Sequence, residues 1–168
     1  EYVYREVPIA PGYNSIVDAM RYISQDHLAI LFDDDWWVEN HLERGLNSLT
    51  SSDQIIASFS ACAWIEAEDK YITGMFSQES IWMSATCAPI EDRWILGLVE
   101  MLTSSILSTC LHLSSLIVRR DAWETSLDII KDGNPYDTDR LIAVRLSTLG
   151  KVAVDRIPSV LIRRHSTQ

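Results

Sequence analysis

Three consecutive carboxylates, Asp33, Asp34 and Asp35, follow directly after an apolar run near the start of this chain. A run rich in Ile, Leu and Phe predicts a strand buried on both faces, and because acids cannot remain in such a strand we expect it to end at an opening. Carboxylates crowded at one edge repel one another unless a cation neutralises them. A hard divalent ion such as Mg²⁺ or Mn²⁺ suits all-oxygen ligands and keeps positions open for substrate phosphates. The alternative is a loop of solvated acids in which Asp35 caps the next helix.

The segment from Leu31 to Glu43, LFDDDWWVENHLE, resembles the fLDDDDwwlpnkLe motif of the inverting family 2 glycosyltransferases, which have the GT-A fold. In that family the D-x-D acids hold the metal that bridges the diphosphate of a nucleotide-sugar. The resemblance implies that Asp33 and Asp35 form this pair, with Asp35 as the direct ligand. It also implies that Asp33 and Asp34 lie against the bound donor.

Two tryptophans, Trp36 and Trp37, follow the acids immediately. A tryptophan offers an apolar face with a polar edge. We expect one of the two to pack in the core, and the other could face the cleft and stack on a sugar or a base.

The segment Ser114 to Arg120, SSLIVRR, resembles the serine-bearing strand ending in vlRR that precedes the catalytic helix of the same family. Its two arginines, Arg119 and Arg120, are either a solvated pair or reach the diphosphate. The resemblance adds both to the expected donor-binding residues.

Residues 136–150 predict a helix that is capped by Asp137 or Thr138 and is followed by a C′ glycine. The segment resembles the family pattern (E/D)D-x-x-L-x-x-R-l-a-x-x-G. Counting back from Arg145, the resemblance implies that Asp139 is the catalytic base. Thr138 stands where the family usually has Glu, and Asp137 is a nearby substitute for the base. Alternatively, Asp139 simply favours the helix N-terminus.

Residues 151–165 predict a closing strand whose end, Ile162-Arg163-Arg164-His165, resembles the l-x-y-R-x-H ending of the family. The resemblance implies that His165 faces the metal or the diphosphate and that Arg163 contacts the donor. Otherwise His165 is a solvated histidine near a terminus.

The composition is that of an ordinary globular protein: the 168 residues are 47% hydrophobic and 23% charged, which predicts one domain over residues 1–168. The net charge of −10 argues against a nucleic acid or an anionic membrane as a partner. Residues 1–84 carry 4 basic and 14 acidic side chains, and residues 85–168 carry 10 of each. The predicted metal site therefore lies in the acidic half, whereas most cations that could meet a diphosphate lie in the other half.

The three cysteines, Cys62, Cys87 and Cys110, lack metal-type spacing and predict reduced thiols in a cytoplasmic protein, free or peripheral to a membrane. No secretory signal is visible. The apolar stretch from Trp94 to Val118 contains a glutamate, a histidine and seven Ser or Thr residues, so we reject it as a transmembrane segment. A helix followed by a strand explains it better.

Apolar spacing predicts the remaining elements. We expect a helix from residue 14 to about residue 24 and a strand region over residues 54–67. A helix after the acids should bury one apolar face (Val38, Leu42, Leu46, Leu49), and a second helix, opened by Pro89 to Asp92, should bury another (Trp94, Leu98, Leu102, Ile106). A first strand over residues 2–7, the helix and the strand of the acids would form a βαβ unit with parallel pairing.

We therefore expect an α/β, GT-A-like domain with a Rossmann-type, mostly parallel sheet flanked by helices. The family's first strand with P-x-Y/F-N and its base-reading Asp are not found, so the domain is expected to be partial. The resemblance implies metal-dependent glycosyl transfer with inversion, from a nucleotide-diphosphate sugar to a carbohydrate or other acceptor hydroxyl. One alternative is a nucleotidyltransferase, although that class usually has a Gly-rich basic loop that is not seen here. The other is a non-catalytic scaffold or binding module, which the missing strands favour.

Overall fold

The computed structural model describes residues 14–65, 71–72, 88–107, 111–132 and 138–163. Its helices are α1 (Asn14–Ala19), α2 (His41–Thr50), α3 (Leu98–Leu107), α4 (Arg120–Asp132) and α5 (Thr138–Leu149). Its strands are β1 (His27–Ala29), β2 (Trp36–Trp37), β3 (Ile55–Ile65), β4 (Tyr71–Ile72), β5 (Arg93–Leu96), β6 (Ile117–Arg119) and β7 (Lys151–Arg163). Two 3₁₀ turns complete the elements, Met20–Tyr22 and Leu113–Ser115, and we name the second the connecting turn.

The strands form one mixed sheet in the order β1-β6-β3-β7-β2, with β4 beside β3 and β5 beside β7. Only β3 and β7 pair in parallel among the described strands, whereas β1–β6, β3–β6, β3–β4, β5–β7 and β2–β7 are antiparallel. The sheet is thus mostly antiparallel and curls into a half-barrel. The expectation of a mostly parallel, Rossmann-type GT-A sheet is wrong. Hydrophobic periodicity identifies a strand but not its direction. The direction depends on the end of the sheet at which the preceding element finishes.

The parallel pair β3–β7 is the centre of the sheet, with register from Ile55↔Lys151 to Ile65↔Arg163. The larger apolar cluster joins this pair to α3, α4 and α5 on one side, and its largest buried members are Phe59, Trp94, Met101, Trp123 and Leu146. A smaller cluster joins Leu49 of α2 to Ile55, Ile117 and Ala153. Helices therefore support the sheet at two separate apolar clusters, and the long pair β3–β7 contributes to both.

Helix α2 buries Leu49 of its predicted apolar face but leaves Leu42 and Leu46 exposed. Its buried residues include His41 and Gly45, whereas Leu42 is 45% exposed and Leu46 is also exposed. The reason is the close approach of α2 to β6, because a Cβ at Gly45 would overlap the Ile117 side chain. The small face of the helix thus packs on the sheet together with Leu49, whereas Leu42 and Leu46 remain exposed.

The second predicted helix differs in both its start and its buried face. Residues 90–93 form a tight turn instead of a helix start, with Glu91 at φ +55°, and the chain continues as β5, where Trp94 is fully buried. The helix begins only at residue 98, and Ile106 of the predicted inner face is 81% exposed. A turn between charged residues had the same local signals as a helix start. A helix followed by a strand does occupy this stretch, as predicted.

Strand β1 is shorter and more exposed than the apolar run suggests: only Leu28 is buried, between the exposed His27 and Ala29. The predicted first strand over residues 2–7, and with it the βαβ pairing, lies outside the described residues. So do Cys87, Cys110, Asp137 and His165. None of the helices in the described part of the chain has the length and apolar character needed to cross a membrane.

Candidate functional site

The direction of β6 explains how the acids meet the connecting turn. Strands β1 and β3 are each antiparallel to β6, so they run in the same direction as one another. The acids follow β1, and the connecting turn precedes β6. The acids and the connecting turn therefore lie beside each other, at the end of β1 and the start of β6.

Asp35 is the buried acid of the three, with only 3% of its surface exposed. Its Oδ2 accepts a hydrogen bond of 2.5 Å from the Ser114 hydroxyl and lies 3.5 Å from Nδ1 of His112. Burial raises the pKa of Asp35 above its ordinary value, and the like charge of Asp34 adds to this effect. The Ser114 hydroxyl, together with the backbone N–H of Arg163, partly opposes the rise in pKa by donating to the carboxylate.

Ser114 is fully buried and bonds through its backbone as well as its side chain. Its hydroxyl oxygen accepts from the backbone N–H of Phe32 at 3.1 Å, and its carbonyl accepts from the indole N–H of Trp37 at 2.6 Å. Its own N–H donates to Nδ1 of His112 at 3.3 Å. The connecting turn is thereby attached to the segment on both sides of Asp35.

Asp139 lies in the first turn of α5, where its Oδ2 accepts a hydrogen bond of 3.1 Å from the backbone N–H of Leu113. Leu113 is the neighbour of Ser114 in the connecting turn. Asp35 and Asp139, which are far apart in the chain, thus bond to adjacent residues of one turn. The structure brings these two predicted site residues together.

The two tryptophans have different environments. Trp37 is half-buried, and its ring stacks on His41 at 4.9 Å between centroids. Trp36 is 43% exposed, and the guanidinium carbon of Arg163 lies 4.6 Å from the centre of its ring. Trp37 therefore has a packing role, whereas Trp36 presents an aromatic surface beside the strand end that holds Asp35.

Two of the predicted donor-binding arginines lie elsewhere. Arg119 pairs in register with His27 at the start of β1, and so lies at the opposite edge of the sheet from the acids. The backbone N–H of Arg120 donates to the carbonyl of Asp26, again before β1. The structure therefore does not bring these arginines to Asp35, whereas it does place Arg163 there.

The acids match a hard cation in chemistry, although the predicted metal set is incomplete in the described residues. There, no three His, Cys, Asp or Glu side chains lie together as a metal-ligand group. Asp33 is exposed, and Asp34 is the neighbouring carboxylate that acts on Asp35 by charge. Mg²⁺ commonly uses one or two carboxylates and completes its shell with water and substrate phosphates, so an oxygen set of this size fits. The metal roles of Asp33, Asp35 and His165 remain predictions.

Two open cavities, of about 410 and 400 Å³, lie away from these residues. Both are lined by Gln54 and Lys151, at the starts of β3 and β7. None of the predicted site residues lines either cavity. Within the described residues, hydrogen-bonded side chains define the candidate site.

His112 is the residue of this site that the sequence did not predict. Its Nδ1 accepts from the Ser114 N–H of the connecting turn and lies 3.5 Å from Asp35, and its ring meets the Phe32 ring edge-on with centroids 5.5 Å apart. The only feature of the sequence that could have indicated this role is its position two residues before Ser114. That spacing brings His112 to Ser114 only once the turn has formed.

His41 lies beside the site, where its ring stacks on Trp37, and its buried imidazole makes the stability of the fold depend on pH. Its imidazole is buried, Nδ1 lies 2.8 Å from the Ser159 hydroxyl, and Nε2 has no hydrogen-bond partner in the described residues. Burial lowers the pKa of His41 from 6.5 to about 4, although the charge of Asp155 acts in the opposite direction. The unfolded chain therefore binds the proton more readily. This contribution to stability is complete above about pH 6.5 and is lost as the pH falls towards 4.

We expect the contribution of His41 to the free energy of unfolding to fall by about 2–3 kcal/mol between pH 7 and pH 4. The raised pKa of Asp35 contributes in the opposite sense, since the folded state gains stability as that carboxyl is protonated. Urea unfolding of a His41→Asn variant should show a weaker acid loss than the parent, because the contribution of Asp35 is common to both proteins. His27→Asn, at an exposed histidine, is the control. An identical pH dependence in the His41 variant and the parent would contradict the assignment.

Comparison with known proteins does not name a family for this site. No protein-family model matches the chain, and no curated protein matches it. The likeness to family 2 glycosyltransferases therefore depends on the short motifs around Asp35, Ser114 and Asp139.

Proposed function

We propose that this protein transfers a glycosyl group from a nucleotide-diphosphate sugar to an acceptor hydroxyl, with inversion and with Mn²⁺ or Mg²⁺. The observation that supports the proposal is the meeting of Asp35 and Asp139 on adjacent residues of the connecting turn. The motif resemblance assigns the first acid to the donor and the second to the acceptor. A transfer reaction requires both substrates to be held at one place, so the proximity of these acids favours it over functions that need only one of them.

Asp139 is the proposed general base. A base must lie within hydrogen-bond reach of the hydroxyl that attacks the anomeric carbon. The Leu113 amide fixes one oxygen of the carboxylate, so the side chain is held before an acceptor arrives. The proton of the acceptor hydroxyl passes to Asp139 as the new glycosidic bond forms and the nucleoside diphosphate leaves.

Asp35, with Asp33 or Asp34, would hold the divalent ion. When bound, such an ion stabilises the negative charge that develops on the departing diphosphate. Arg163 adds a positive charge at the same strand end, and the Trp36 ring beneath its guanidinium offers an apolar face to a sugar.

Asp35→Asn tests the donor half of the proposal. We expect the variant to fold and to lose most metal-dependent binding of a nucleoside diphosphate, because it removes the charge that holds the ion. Calorimetric titration with UDP and GDP, with and without Mn²⁺, measures this loss. Asp26→Asn is the matched control, since Asp26 is an exposed aspartate at the opposite end of β1.

Unchanged diphosphate binding in Asp35→Asn would remove Asp35 from the site. A parent protein that binds neither nucleotide with Mn²⁺ would argue against the proposed function itself. Binding without transfer to any acceptor would favour the non-catalytic module instead.

A further inference from the structure

We propose that Ser114 is a positioning residue that fixes Asp35 relative to Asp139 through the connecting turn. This inference rests on the proposed function, because it assigns Ser114 a role in the reaction of those two acids. Ser114 would not touch the substrates itself.

The hydroxyl of Ser114 binds the segment of Asp35 at two points. It donates to the carboxylate of Asp35 and accepts from the backbone N–H of Phe32. Because Ser114 is fully buried, water cannot readily replace either bond if the hydroxyl is removed. The carboxylate would then lose the bond that fixes its orientation.

The backbone of the same turn holds Asp139. The N–H of Leu113 donates to Asp139, and the Leu113 carbonyl accepts from Leu116 at 3.0 Å, which closes the 3₁₀ turn. The indole of Trp37 holds the Ser114 carbonyl from the other side. A shift of Ser114 therefore moves the amide that orients Asp139, so the two acids are positioned together.

Removal of this hydroxyl should change the rate more than the binding. A displacement of about 1 Å at a reacting group can cost on the order of 10²-fold in rate. We expect Ser114→Ala to lower kcat by about 10–100-fold, with a smaller change in the Kd of the nucleoside diphosphate with Mn²⁺. Ser126→Ala is the matched control, because Ser126 is also fully buried but, within the described residues, its hydroxyl bonds inside α4, to the carbonyl of Ala122.

A double-mutant cycle tests whether Ser114 acts through Asp35. If it does, the losses of kcat should be less than multiplicative when Ser114→Ala is combined with Asp35→Ala, a background in which the hydroxyl has no carboxylate to bind. A full additional loss there, or equal kcat values for Ser114→Ala and the parent, would overturn the proposal. Should Ser114→Ala fail to fold, Trp37→Phe loosens the same turn by removing the indole N–H, and it should lower kcat in the same direction.

Amide hydrogen exchange provides a measurement that does not depend on activity. In Ser114→Ala, the N–H groups of Phe32 and Leu113 should exchange faster relative to the global rate, while Ser126→Ala should leave this ratio unchanged. If the parent protein binds no nucleotide but these two amides respond, the proposed function fails and the positional coupling stands. If the amides do not respond, the coupling through the turn is wrong whatever the activity.

Discussion

Replacement of Asp139 by Asn should lower glycosyl transfer by about 10²–10⁴-fold, the usual contribution of a general base. The substitution keeps an oxygen that can accept from the Leu113 amide, so the head of α5 should remain in place. Because Asp139 is proposed to act on the acceptor and not on the diphosphate, the Kd of the nucleoside diphosphate should be close to that of the parent. Initial rates with saturating donor, together with calorimetry of donor binding, separate the two effects.

The matched control for this variant is Asp121→Asn. Asp121 also lies in the first turn of its helix, α4, where its carboxylate accepts from the N–H of Ala122. Both substitutions weaken the same interaction with a helix N-terminus, so the control corrects for helix stability. Transfer at the parent rate in Asp139→Asn would exclude this acid as the base and leave Asp137 as the next candidate.

Replacement of Arg44 by Met should lower the free energy of unfolding by about 2–4 kcal/mol, because it leaves a buried charge without its partner. The guanidinium binds both oxygens of Asp155 at 2.7 Å, and the Asp155 side chain is only 8% exposed. Asp155 also accepts from the backbone N–H of Ile157, where the register of β7 against β3 shifts. Loss of the arginine therefore disturbs the irregular part of the central strand pair. Urea denaturation at pH 7 measures the change.

A surface ion pair provides the control for Arg44. Arg145 lies 3.3 Å from Asp128, whose side chain is 61% exposed. Exposed pairs contribute little, so Arg145→Met should change the stability by less than about 1 kcal/mol. A loss of that small size in Arg44→Met as well would show that water solvates Asp155 adequately without the arginine.

The sequence predicts helices and strands well where a hydrophobic period is bounded by residues that typically begin or end such an element. Helix α5 occupies Thr138–Leu149 within the predicted residues 136–150, and β3 and β7 occupy most of their predicted ranges. Burial faces were less predictable. Leu42, Leu46 and Leu49 of α2 have helical spacing, but Gly45 allows a closer approach to the sheet, and only Leu49 of the three is buried.

The candidate site shows the same division between local and long-range information. The motifs single out Asp35 and Asp139 because local residue types define them. The short strand β6 decides which other residues join them: since it runs against β1, its start carries Ser114 and His112 to the acids, and its end carries Arg119 away. No local pattern encodes that direction, so the sequence predicts neither the antiparallel pairing of β6 nor the position of Arg119 away from the acids.

The position of β7 has a consequence for how the protein acquires its fold during synthesis. Strands β2 and β5 pair with β7, and β3 makes its longest pairing with it. Among the described strands β7 is the last to leave the ribosome, so the sheet cannot close until residues 151–163 have emerged. Such long-range pairing also has a high loop-closure cost and slows folding. Until β7 is available, the apolar strand β3 lacks its longest pairing, and unpaired strand edges of this kind are prone to aggregation.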